Sequence, residues 1–309
     1  MTENELPIGR ITPEDLTRLF RPDGKLPLGQ GSYAKVFKVF HLASGKLFAL
    51  KIVEKVSPEV TERTLDEIES VMAMDHPNIC KIHCYAEDDK AIYIIMDLID
   101  GCDFLQFLKQ YPEILLKNLK LLWKIVEHLI AAIDYIHSIR GVVHCDIKLQ
   151  NIMVEISDSV VQYIKLIDFG FCKDVSDVAL FNGGTSNYMA PEILLRCSKG
   201  FGRDIWAFGI TLFALLTGNF PSQLESKNPD DEQRKKEVRK KLRELGRMSS
   251  DQQFDPFLDP LRDYSAIPDE VKTFIRSCLV VDQASRPTAA VLKRRVQEIL
   301  SRFDAKSEA

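Results

Sequence analysis

The run His144-Cys145-Asp146-Ile147-Lys148-Leu149-Gln150-Asn151, with Asp168-Phe169-Gly170 beyond it, sets four side chains at spacings suited to phosphoryl transfer. Asp146 can accept a hydroxyl proton. Lys148, two residues on, can meet the charge of a migrating phosphoryl group. Asn151 can bind one Mg²⁺ ion, and Asp168 can bind that ion and a second. A lone loop Asp is more often a turn or cap residue; the joint spacing behind a long helical segment favours chemistry. Lys51, in Phe48-Ala49-Leu50-Lys51, is a lysine inside an apolar strand. Either it snorkels to water at an edge, or it binds the α- and β-phosphates of a nucleotide. The second role needs a carboxylate to hold the ammonium, and Glu67 is the candidate. Glu62 and Glu69 suit less well, and Glu69 points roughly 200° away from Glu67 on a helix.

Leu28-Gly29-Gln30-Gly31-Ser32-Tyr33-Ala34-Lys35-Val36 stands between two strand-like runs. Gly29 and Gly31 let backbone amides approach a phosphate chain. The third glycine of G-x-G-x-x-G is Ala34 here, and a two-glycine β-turn is the plainer reading. No βαβ pattern surrounds it, so a dinucleotide fold is disfavoured.

These residues need elements to hold them. Thr12-Pro13-Glu14-Asp15 reads as a helix start, with Leu16, Leu19 and Phe20 as its apolar face. Residues 36–40, 47–53 and 91–96 are rich in β-branched and aromatic types and read as strands. Between the last two, 61–74 has helical periodicity through Leu65, Ile68, Val71 and Met72. After Asp97 the character changes. Residues 117–138 form one long helical pattern, and 201–218, 269–281 and 289–303 are helical too. A mainly β half followed by a mainly α half argues for an α+β chain of two lobes joined near 97–101. Residues 222–253 are strongly charged. Within them 228–245 reads as a basic surface helix, which is either simply solvated or a docking site for a partner.

The chain has 309 residues, 45% of them apolar, enough for two lobes with a real core. A net charge of -4 gives no reason to expect nucleic acid or an anionic membrane as partner. No apolar run has transmembrane length. The polar start, Met1-Thr2-Glu3, reads as neither a secretory signal nor a myristoylation site. Seven scattered cysteines without a C-x-x-C pair fit a reducing, cytoplasmic setting better than disulfides or zinc.

Together with Gly184-Thr185-Ser186-Asn187-Tyr188-Met189-Ala190-Pro191-Glu192, these motifs resemble the catalytic domain of eukaryotic-type Ser/Thr protein kinases, in the family's order from 25 to 303. The resemblance implies a bilobal kinase fold with MgATP in the cleft between lobes. It divides the chain into an extension with a short helix at 1–24, a small lobe at 25–97, a hinge and large lobe at 98–305, and a tail at 306–309. It assigns Asp146, Lys148, Lys51, Glu67 and Thr185 to catalysis, and Asn151 and Asp168 to Mg²⁺. Leu28, Gly29 and Gly31 fall in its glycine-rich loop. The adenine lies against Asp97 and Ile99, with Val36 and Ala49 above, Met153 below and Met96 behind. Asp103 matches the ribose-contacting acid. Glu192 and Arg286 match a buried structural pair, and Asp204 matches the aspartate that holds the catalytic-loop backbone. His144 reads as structural.

Lys148 and Thr185 together point to Ser and Thr, not Tyr, as acceptors in protein substrates. Ala214 stands where basophilic members often carry a glutamate. Cys145 departs from the family, which usually has an Arg there to meet a phosphorylated activation-segment residue. The usual phosphorylation position is Phe181, so both halves of that switch are missing together. The sequence therefore leads to an active Ser/Thr kinase that needs no activation-segment phosphorylation. The alternatives are a pseudokinase or nucleotide-binding scaffold of the same fold, or a small-molecule kinase.

Overall fold

The computed structural model describes residues 6–30, 34–112, 114–157, 160–181, 183–195, 200–221, 226, 228, 230–247, 261 and 264–307. Packing divides the chain into two units. One is Met1–Asp100 with Ile167–Gly170, and the other is Gly101–Leu166 with Phe171–Ala309.

The first unit is built on a mainly antiparallel sheet. Its strands are β1 (Gly9–Arg10), β2 (Phe20–Pro22), β3 (Gly29–Gln30), β4 (Ala34–His41), β5 (Leu47–Glu54), β6 (Ile82–Glu87) and β7 (Ala91–Asp97). Their order is β1-β6-β7-β5-β4-β2, with β3 paired to β4. Only β1 on β6 is parallel. The register sets Lys51 opposite Ile94 and Ala49 opposite Met96. Strand β6 was not read from the sequence, although Ile82, Cys84 and Ala86 alternate with less buried neighbours; its Cys, Ala and His are weak strand formers.

Helix α1 (Pro13–Leu19) is capped by the Thr12 side chain, which accepts from Asp15 N. Helix α2 (Pro58–Met72) repeats the device, with Ser57 accepting from Val60 N and Pro58 in the first turn. It starts three residues before the periodicity at 61–74 because that cap, not the apolar stripe, fixes its start. Thr64, Glu67, Ile68 and Val71 form its buried face, which turns Glu67 inward. Ile11, Leu16 and Phe20 share one core cluster with Val39, Phe48, Cys84, Ala86 and Ile95. Ile11, Leu16 and Phe20 thus tie the segment ahead of residue 25 to this unit's core.

The second unit is mainly helical. Its helices are α3 (Phe104–Gln110), α4 (Ile114–Lys117), α5 (Leu119–Ser138), α6 (Pro191–Leu194), α7 (Gly202–Thr217), α8 (Asp231–Leu245), α9 (Asp269–Cys278) and α10 (Ala289–Ser307). Strands β8 (Gly101–Asp103), β10 (Ile152–Ser157) and β11 (Val160–Leu166) form one small sheet, and β9 (Val142–Val143) pairs with β12 (Lys173–Asp174). The core is aromatic: Trp123 and Phe208 both meet the ring of Phe274 edge-on, at 5.2 and 6.3 Å. Nearly all of α7 is buried, and it stops at Gly218, whose φ of 71° lets its amide reach Ala214 O. Helix α9 ends three residues before 281, and α10 runs on into the expected tail. Of the charged insert, 222–225, 227, 229 and 248–253 lie outside the described residues. The rest holds α8, capped by Asp230 and seated by Val238, Leu242 and Leu245. Among the described residues, no helix is long and apolar enough to cross a membrane.

Glu192 on α6 and Arg286 meet as a buried two-pronged pair at 2.7 and 2.8 Å. The guanidinium also donates to Val280 O and Gly202 O and lies 5.0 Å over Trp206. Removing one partner strands the other's charge in the interior. Arg286→Ala should therefore lose about 3–5 kcal/mol, read as a lower denaturation midpoint at unchanged slope.

Candidate active site

In the first unit, β5 and α2 bring Lys51 and Glu67 together. The ammonium donates to Glu67 Oε1 at 2.9 Å and Oε2 at 3.2 Å. Burial opposes the charge on Lys51, but Glu67 and then Asp168 outweigh it and raise its pKa above the ordinary lysine value. Glu69 is exposed. Asp168 is exposed too, on a left-handed backbone with φ 61°, a conformation that costs a non-glycine residue about 1–2 kcal/mol. Gly170 N reaches its Oδ1 at 3.5 Å.

The glycine-rich segment begins as a hairpin arm. Leu28 N donates to Val36 O at 2.7 Å, and Gly29 lies opposite Val36. Gly31 lies outside the described residues. Val36 and Met96 are half-buried, Ala49 is buried, and Ile99 is half-buried. Asp97 turns its carboxylate to His83 Nε2 at 2.9 Å.

The second unit assembles the loop chemistry. Asp146 is buried yet ringed by donors. Thr185 gives both its N–H and its hydroxyl to Asp146 Oδ1, at 2.9 and 2.8 Å. Lys148 Nζ lies 2.6 Å from Oδ2 and 2.9 Å from Thr185 Oγ1. Asn151 Nδ2 donates to the Asp146 carbonyl at 2.9 Å and to Oδ2 at 3.1 Å, which leaves its amide oxygen facing the other way. Met153 stands opposite Asp103 across β10 and β8. Asp103 caps α3 by accepting from Gln106 N with Oδ1, so that side chain has a structural role whatever else it binds.

Asp204, in the first turn of α7, pins the loop. It accepts from His144 N at 2.7 Å, Cys145 N at 2.9 Å and His137 Nε2 at 2.9 Å. Burial alone would raise its pKa, but the His137 hydrogen bond and the neighbouring amide hold it below the usual carboxylate value. Cys145 sits at φ 67°. Gly184, at φ 116°, packs so closely on its carbonyl that a Cβ would lie 2.5 Å from Cys145 O. His144 is buried, and its Nδ1 accepts from Asp146 N at 3.3 Å.

The Cys145 thiol lies in an apolar cluster with Val143 and Val178, flanked by Phe171, Val175, Phe181 and Phe201. Burial pushes its pKa up, and Asp204 adds to the effect, so it is a poor nucleophile. Two residues were missed from the sequence. His137 completes the Asp204 set. Arg203, itself buried, donates to Phe181 O at 2.9 Å and Gly183 O at 3.0 Å and lies 5.6 Å over the Phe181 ring. Its only sequence signal is a second charged residue beside Asp204 at the head of an apolar helix.

A family model described as protein kinase domain matches residues 24–297. A serine/threonine-protein kinase of Drosophila erecta is 33% identical over 232 residues, 74% of this chain and 29% of its own length. Ribosomal protein S6 kinase alpha-6 of Homo sapiens is 33% identical over 209 residues, 65% of this chain and 27% of its own. The chain thus spans under a third of the length of these relatives. The crystal structure of Rad53 1-466 in complex with AMP-PNP is similar with a TM-score of 0.66 at 28% identity, covering 90% of this chain and 65% of that one.

Because folding depresses the Asp204 pKa below its ordinary 3.8, its charge stabilises the fold above that value, and the contribution is lost as pH falls through the folded one. Asp204→Asn should be less stable than wild type by roughly 1.5–3 kcal/mol at neutral pH. The gap should shrink as pH falls below about 3.8. A gap that stays constant across that range would show that the charge is not what holds the loop.

Proposed function

Because the chain belongs to the protein kinase domain family, we propose that it is a serine/threonine kinase moving the γ-phosphate of MgATP onto hydroxyls of protein substrates. The observation that carries this reading is the donor ring around Asp146. A buried carboxylate so held keeps its position and its lone pairs aimed. Asp146 orients the acceptor hydroxyl and takes its proton. Lys148, already on Asp146 and Thr185, is the charge that meets the transferred phosphoryl group. The Thr185 contact supports Ser and Thr as acceptors.

Lys51, kept charged and aimed by Glu67, binds the α- and β-phosphates. Leu28, Gly29 and Gly31 cover the phosphate chain. Val36, Ala49, Met96, Asp97 and Ile99 of the first unit and Met153 of the second are the residues assigned to the adenine, and the second Asp103 oxygen to the ribose. Asn151 and Asp168 offer an amide oxygen and an exposed carboxylate, the hard donors that Mg²⁺ takes. When bound, that ion neutralises phosphate charge. A cytoplasmic setting is supported by the described cysteines, all free thiols.

The reading extends to control: activity does not depend on phosphorylation within 173–182. Cys145 offers no cation for a phosphate. Ser176 is the only hydroxyl in that interval, and its Oγ already lies 2.8 Å from Asp174 Oδ1 and 3.2 Å from Asp177 Oδ1, where a phosphate would meet like charge. Phe181 is held instead by Arg203 on one side and Lys173, 5.7 Å from its ring, on another.

Phosphatase-treated protein, MgATP labelled at the γ-phosphate and a mixed Ser, Thr and Tyr peptide library test this. Phosphoserine and phosphothreonine should form, and Asp146→Asn or Lys51→Met should lower the rate by roughly 10²-fold or more. Nucleotide binding without any transfer would sink the reading in favour of a scaffold. Phe181→Ala should cost about tenfold in kcat, on the order of a desolvated cation–π contact, and added phosphorylation should not restore it.

A further inference from the structure

Helix α8 carries more cations than its carboxylates balance. Asp231 engages Arg234 and Lys235, Glu232 engages Lys235, and Glu237 is taken up by Ser226 and Asn228. Glu244 lies 4.0 Å from Lys240. Lys236, Arg239 and Arg243 are exposed and, among the described residues, pair with no carboxylate. Their spacing of three and then four residues puts them on one helical face, within about 60° of one another. Val238, Leu242 and Leu245 occupy the buried face, centred roughly 125° round the helix from this stripe, so the stripe has a fixed heading.

Arg239, the member of the stripe nearest that buried face, reaches the acceptor end of the site. Helix α8 packs on α6 and on the short turn Ser186–Tyr188. Arg239 Nε donates to Ser186 Oγ at 3.4 Å. Ser186 follows Thr185, whose amide and hydroxyl hold Asp146. One residue step thus separates the group that positions the proposed base from the group that touches the stripe. A peptide whose hydroxyl reaches Asp146 advances about 3.3 Å per extended residue. A side chain three positions along is therefore roughly 10 Å from the acceptor, a span that long Lys and Arg side chains help to bridge.

We propose that this stripe selects acidic substrates, with Lys236, Arg239 and Arg243 receiving Asp or Glu side chains that flank the acceptor Ser or Thr. The proposal rests on the kinase reading above and adds the substrate class. Of the three, Arg239 also has a positioning part, because its Nε braces Ser186. The others act through charge alone.

The test uses the full chain and three peptides sharing one Ser acceptor, flanked by Asp and Glu, by Ala, or by Lys. Wild type should favour the acidic peptide over the alanine peptide by about tenfold in kcat/KM, the sum expected of a few exposed ion pairs. The preference should lie in KM and fade at high salt. Lys236→Glu/Arg239→Glu/Arg243→Glu should reverse the order and favour the lysine peptide. Arg243→Glu alone, which spares the Ser186 contact, should shift selectivity the same way by about two- to threefold. Equal use of the three peptides by wild type, or the same ranking in the variants, overturns the proposal. Transfer to none of them, with Asp146→Asn indistinguishable from wild type, overturns the kinase reading instead.

Discussion

A carboxylate buried at the head of an apolar helix holds the loop on which the proposed chemistry depends. Helix α7 places Asp204 where water cannot solvate it, so its charge must be met by protein donors. The donors are the amides of His144 and Cys145 and the His137 ring. The helix N-terminus adds its partial positive charge. Satisfying Asp204 and shaping the loop are therefore one event. With two successive amides turned to the carboxylate, Cys145 takes its left-handed conformation, the Asp146 amide folds back on His144, and the Cys145 carbonyl meets Gly184. Asp146 and Thr185 then face each other.

The same helix accounts for the chemistry of position 145. The thiol lies among Val143, Val178 and four partly buried apolar neighbours. A guanidinium there would need an anion to offset its burial, and the segment that could supply one presents Phe181. Arg203 does the holding from the other side, through two carbonyls and a ring face. Cys and Phe suit each other here as an Arg and a phosphate would. An exchange at one position alone would leave either a stranded charge or an unfilled apolar site.

What was legible in the sequence follows from the range of the forces involved. Lys51 and Glu67 could be paired because each sits on an element with its own periodicity, and the buried stripe of α2 aims Glu67. Asp146, Lys148 and Asn151 are spaced within one loop. Helix α5 was plain from its apolar face, and the start of α2 was hidden only because Ser57-Pro58 lies before its stripe. Strand β6 and the role of Ile11, Leu16 and Phe20 were not legible, because both depend on partners distant in sequence. Arg203 was illegible for a different reason: its acceptors are carbonyl oxygens, which every residue carries and no sequence marks. Gly31, Ser32 and Tyr33 of the glycine-rich segment lie outside the described residues.

The two left-handed non-glycine residues, Cys145 and Asp168, are secured in different ways. Each conformation costs about 1–2 kcal/mol. At Cys145 hydrogen bonds to one charged carboxylate, worth about 1.5–3 kcal/mol each, more than offset the strain. That loop is fixed by the protein itself. At Asp168 the backbone bond from Gly170 is long, and charge acts beside it. Asp168 stabilises the Lys51 ammonium after Glu67 does, and the attraction is mutual. The exposed carboxylate thus answers to the charges placed around it, as suits a group assigned to a cation. The buried Asp146 answers to a fixed ring of donors, as suits a group that must be in place before any substrate arrives.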